Sequence, residues 1–138
     1  MSIIANQPHS NAKNFSRNLR YLYWSIRLGI ALIWLWAAIV SWFIYPQKAS
    51  LDWLSRLGLT YQTYVFFAAA CCVDLLFGVA SLVYASRTLW LSQAIIVVFY
   101  SLVIAIGLPE FLFHPFEPLV KNIAVLGCLS YLILMEKN

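Results

Sequence analysis

Apolar positions along the 138 residues gather into four long runs, about 21–45, 61–85, 88–108 and 118–135, parted by short polar stretches. The first run has no charge after Arg27, the second is interrupted only by Asp74, and the third has none. A helix needs about 20 apolar residues to cross the hydrocarbon of a bilayer. Three runs meet that length. The fourth is free of charge only from Asn122 onward, so it spans if Lys121 reaches outward to the headgroups and the preceding phenylalanines also enter the membrane. The pattern therefore predicts an all-α membrane protein, a four-transmembrane-helix bundle. Residues 1–20 form a polar, basic tail and 21–138 a single membrane domain. Pro46 ends the first span. In the loop after it, Leu51, Leu54 and Leu57 recur at i, i+3 and i+6 beside Trp53, which predicts a short interfacial helix. A Pro-rich interfacial segment is expected before the fourth span.

Composition agrees with lipid as the solvent. Hydrophobic residues make up 63% of the chain and charged residues only 10%, with a mean hydropathy of +0.81. A soluble domain carries about a quarter charged residues, and a chain this short cannot hide so much apolar surface in one aqueous core. The net charge of +4 lacks a basic face with interleaved stacking positions, so it reads as topology and not as a nucleic-acid footprint. Placing the N-terminus inside puts Lys13, Arg17, Arg20, Arg27, Arg87 and Lys137 on the inner side, against Lys48, Arg56 and Lys121 outside. This asymmetry predicts a multi-pass membrane protein with both termini cytoplasmic. The tail lacks the apolar core of a cleavable signal peptide.

Each run carries small or polar residues at a helical repeat. Arg27, Ala31, Trp34, Ala38 and Ser41 share one face of the first; Ala70, Asp74, Gly78 and Ser81 one of the second; Gln93, Tyr100 and Gly107 one of the third; Lys121, Ala124, Cys128 and Tyr131 one of the fourth. Membrane helices use such residues to approach one another. Asp74 is the exception, because an ionised aspartate at mid-membrane costs about 2.5–3.5 kcal/mol on insertion scales. It is either protonated or facing a cation. Counting 1.5 Å per residue, Arg27 lies roughly 9 Å and Asp74 roughly 16 Å in from the inner side, a gap an arginine arm covers. An intramembrane Arg27–Asp74 ion pair is the expectation.

Between the third and fourth runs lies "LPEFLFHPFEPLVKN". Pro109 closes one helix, and Pro118 suits the first turn of the next. Glu117 sits four residues before Lys121, the favoured order for a helical pair. Its phenylalanines should hold the segment at the outer interface. Glu110 and His114 are spaced like ligands on a helix, but Pro115 steers His114 away from helical dihedrals, so no metal is expected there. A titratable lid is the better reading of His114. Cys71, Cys72 and Cys128 lie in apolar runs without zinc spacing and read first as small buried hydrophobes, with a redox role for the Cys71–Cys72 pair as the alternative.

Three stretches together, "IRLGIALIWLWAAIVSWFIYP", "CVDLLFGVASLV" and "LPEFLFHPFEPLVKNIAVLGCL", resemble the DoxX-like family of small bacterial membrane proteins. The matching positions are Arg27, Trp34, Asp74, Gly78, Pro109, Glu110, His114, Pro115, Lys121 and Asn122. The chain departs from the family pattern at Ala38 and Trp42, where relatives often carry glycine and lysine, and at Glu117. The resemblance implies a four-helix inner-membrane bundle and an association with quinone-linked redox systems. Haem, Fe–S and dinucleotide signatures are lacking, so the chain carries no cofactor signature of its own and could transfer electrons alone only by binding a quinone.

Three functions are in view. The first is an accessory subunit or anchor of a membrane redox system, partnering a membrane or peripheral redox enzyme within the lipid bilayer. In it Arg27 and Asp74 hold the bundle, Trp34, Gly78, Gln93, Tyr100 and Cys128 line a cavity, and Glu110, His114, Lys121 and Asn122 form its outer rim. The second is a small proton-coupled transporter or carrier using Asp74, with a homodimer supplying the path. The third is a quinone-linked oxidoreductase in its own right.

Overall fold

The computed structural model describes residues 7–44, 46–58, 61–107 and 118–136, and every element among them is helical. Helix α1 runs Gln7–Ile39 and continues through a wider π-helical stretch, Val40–Ile44. The short α2 follows at Gln47–Arg56. Then come α3 (Thr63–Val83), α4 (Arg87–Gly107) and α5 (Pro118–Met135).

The sequence punctuates these helices. The Pro46 carbonyl accepts from the amides of Ala49 and Ser50, so the proline that stops the first apolar run also starts α2. Gly58 closes α2 at φ +87°, a left-handed conformation that glycine adopts without a Cβ penalty. Ser86 caps α4 by accepting from the Leu89 amide at 3.1 Å. Only Tyr84, Ala85 and Ser86 separate α3 from α4. The tail read as merely polar is helical from Gln7, consistent with Pro8 in its first turn and no proline after it until Pro46.

Stretches Ala12–Ile44, Thr63–Val83 and Arg87–Gly107 are long and apolar enough to cross a membrane. The apolar part of α5, Val120–Met135, is shorter. The outer surface suits lipid: Leu32 and Trp36 on α1, Leu76 on α3, Ile95 and Ile106 on α4 and Leu134 on α5 are all at least 65% exposed. The helices pack as two pairs, α1 against α3 and α4 against α5, with far less contact across. Where α1 crosses α3, Gly78 lets the backbones close in. A Cβ there would lie 2.6 Å from Leu35 Cγ and 3.0 Å from the Leu35 amide nitrogen. The core, Ile30, Trp34, Trp90, Val97, Leu129 and Leu132, joins the two pairs.

On α5 the buried face differs from the expected one. Lys121 and Ala124 are exposed and Cys128 is half-buried, while Leu129 and Leu132 are fully buried. The inward face thus steps through Asn122, Val125, Leu129 and Leu132. Lipid satisfies leucine as well as a protein core does, so hydropathy alone does not fix how a membrane helix is rotated.

Candidate functional site

Four polar residues meet where α1, α3 and α4 converge. Arg27 and Trp34 on α1, Ser81 on α3 and Gln93 on α4 are each no more than 6% exposed. The Trp34 indole N–H donates to Gln93 Oε1 at 3.0 Å, and Gln93 Nε2 donates to Ser81 Oγ at 2.8 Å. Ser81 Oγ in turn donates to the Phe77 carbonyl at 2.7 Å. Every member has a partner, which is the condition for burying a polar network without penalty. Trp34 also packs on Phe77, with ring centroids 5.1 Å apart.

Arg27 does not pair with Asp74. Its Nε donates to the Ser81 carbonyl at 2.6 Å and its Nη2 to the Leu82 carbonyl at 3.0 Å, while the guanidinium stacks over Trp24 at 4.8 Å. These are carbonyls of the last turn of α3. The Ala80 carbonyl receives the Tyr84 amide, but the ones after it have no amide ahead to accept. They also form the negative end of the helix dipole. The arm therefore turns toward the helix end, and the expected inward reach is not made. Asp74 lies seven residues deeper along α3, roughly 10 Å at helical rise.

The Asp74 Oδ1 is buried and has no hydrogen-bond partner among the described residues. Cys71 on the same helix and Tyr100 on α4 lie within electrostatic reach of the carboxyl. Level with it, between α1 and α3, a cavity of about 240 Å³ is lined by Ala38, Ile39, Trp42, Phe43, Cys71, Cys72 and Leu75. Trp42 forms one wall and is stacked on Phe67 at 5.9 Å. Ile39, Phe43 and Leu75 are exposed on the outer surface, so the cavity opens sideways. Trp34, Gly78, Gln93, Tyr100 and Cys128, the residues expected to line a cavity, are not among its walls: Trp34, Gly78 and Gln93 are buried in the helix packing, Tyr100 and Cys128 half-buried.

Of the expected outer rim, Glu110 and His114 lie outside the described residues. Lys121 is exposed, and Asn122 donates to Ser101 Oγ at 2.8 Å, tying α5 to α4. Among the described residues, no three histidine, cysteine or acidic side chains come together as metal ligands.

Sequence reasoning missed Glu136. Its carboxylate accepts from the Tyr23 hydroxyl at 2.6 Å and the Trp90 indole at 3.3 Å, joining α1, α4 and the end of α5. An acid just past the last apolar run, level with aromatic donors at the matching ends of two others, was the available signal.

A family model described as the DoxX-like family matches residues 31–130. No curated protein and no solved structure matches the chain.

Proposed function

The chain belongs to the DoxX-like family, and from that premise we propose that it is an accessory subunit or anchor of a quinone-linked redox system in the bacterial inner membrane. On this reading α1, α3, α4 and α5 all span the bilayer, α5 with Lys121 turned to the outer headgroups. The short α2 lies in the outer interface, and both chain ends face the cytoplasm, where most of the basic residues fall. The paired ends support this arrangement: Tyr23 near the start of the first span bonds Glu136 beyond the last.

The carrying observation is the sideways-opening cavity between α1 and α3. Drug-sized sites run to about 300–1,000 Å³. At about 240 Å³ this one suits a single substituted ring, lying against Trp42, with its isoprenoid tail left in the lipid. A lipid-soluble carrier would enter without crossing water. The buried relay at Gln93 holds the helices around it.

The test is gentle extraction of the full chain in native lipid, followed by native mass spectrometry and solvent extraction. A bound quinone and a co-purifying redox enzyme are expected. Cys72→Phe should fill the cavity and remove the quinone while leaving helicity intact. Preparations carrying neither quinone nor redox partner overturn the reading. A second reading, a proton-coupled carrier, is favoured by one feature, the buried Asp74 Oδ1 with no hydrogen-bond partner among the described residues. It requires proteoliposome uptake that follows a pH gradient and vanishes in Asp74→Asn.

A further inference from the structure

At the end where α1 and α5 meet, far from the Trp42 cavity, a groove of about 430 Å³ opens between them. Its walls carry Ser16, Leu19, Arg20 and Tyr23 from α1, with Met135 and Glu136 at the end of α5. A cation and an anion thus line one cleft without bonding each other. Glu136 Oε2 is held by Tyr23 and Trp90. The second carboxylate oxygen and the Arg20 guanidinium have no partner among the described residues.

The depth of this groove is marked by its neighbours. Tyr21, Trp24 and Tyr84 are 66%, 48% and 63% exposed at this end of the helices, the pattern of the aromatic belt at a headgroup layer. Tyr21 and Trp24 flank Tyr23, which lines the groove itself. Next to Met135, Leu134 is 83% exposed, so an apolar surface leads away from the charged cleft.

We propose that the groove binds the headgroup of a zwitterionic phospholipid bearing a primary ammonium, phosphate on Arg20 and ammonium on Glu136. A planar guanidinium matches phosphate oxygens two at a time. A primary ammonium has N–H donors for the free carboxylate oxygen, and a quaternary one has none. A headgroup with phosphate alone sets its charge against Glu136. The site therefore selects phosphatidylethanolamine over both phosphatidylcholine and phosphatidylglycerol.

The experiment presents purified full-length protein in detergent with each of the three lipids, reading adducts by native mass spectrometry and Tm by thermal melt. Retention of phosphatidylethanolamine should exceed that of either other lipid by about fivefold, the upper weight of one exposed ion pair. Arg20→Gln and Glu136→Gln should each abolish the preference. Glu136→Gln keeps an oxygen for Tyr23 and Trp90, so its helicity should be unchanged. Equal retention of the three lipids, a preference for phosphatidylglycerol, or a preference that survives Glu136→Gln overturns the proposal. None of these outcomes touches the quinone reading, which concerns the opposite half of the molecule.

Discussion

The Arg27 guanidinium lies at the bare carbonyls that end α3, while the Asp74 carboxyl sits roughly 10 Å deeper along that helix. The carbonyls hold it. Two amide oxygens at a helix terminus already carry partial negative charge and leave the arm near the headgroup side, where desolvation is smaller. Arg27→Ala should therefore lower the Tm clearly, because it strands two acceptors at about 1–3 kcal/mol each. Asp74→Asn should leave the Tm nearly unchanged. In the double variant the two effects should add within about 0.5 kcal/mol, the behaviour of sites that share no bond. Thermal melts of the four proteins in one detergent decide this, and a coupling above that level would restore the ion pair. Gln93→Leu removes two buried bonds at once; with measured values of about 0.6 and at most 1.7 kcal/mol each in membrane proteins, it should cost about 1–3 kcal/mol.

At the scale of single helices, much was legible in the sequence. Arg27, Ala31, Trp34 and Ala38 were readable as one seam from their spacing, and all four are buried. The leucine spacing after Pro46 anticipated α2. The rotation of α5 was not legible, since leucine buries equally well in lipid or protein. Nor was the partner of Arg27, because reach along a helix says nothing about which acceptor lacks a donor. The π-helical stretch Val40–Ile44 has no signal we can name in its residues. The α1–α3 crossing gives a test at this scale. Gly78→Ala puts a methyl against Leu35, and overpacking of this kind costs about 1–3 kcal/mol. Leu35→Ala in the same chain should recover part of that loss, since two of the three close contacts are to its side chain.

For the whole molecule, hydrogen bonds join the start of the first apolar stretch to the end of α5, with Tyr23 and Leu19 of α1 meeting Glu136 and Tyr131. Orientation in the cell is then a single binary question. Ser16→Cys and Lys48→Cys, each in a chain with its native cysteines replaced by serine, should react oppositely with an impermeant maleimide. Position 16 should label only in inverted vesicles and position 48 only in intact spheroplasts. The reverse pattern would turn the protein over and place the Arg20–Glu136 groove in the outer leaflet.

The division into two pairs also bears on assembly. Packing is closest within each pair, while four hydrogen bonds among the described residues cross between pairs: Trp34 to Gln93, Gln93 to Ser81, Tyr23 to Glu136, and Tyr131 to the Leu19 carbonyl. Such bonds act as keys, since they form in one register only. A gene cut within codons 84–86 should therefore yield two fragments that find each other in the bilayer when made together, and that part when Gln93 and Glu136 are both replaced by leucine.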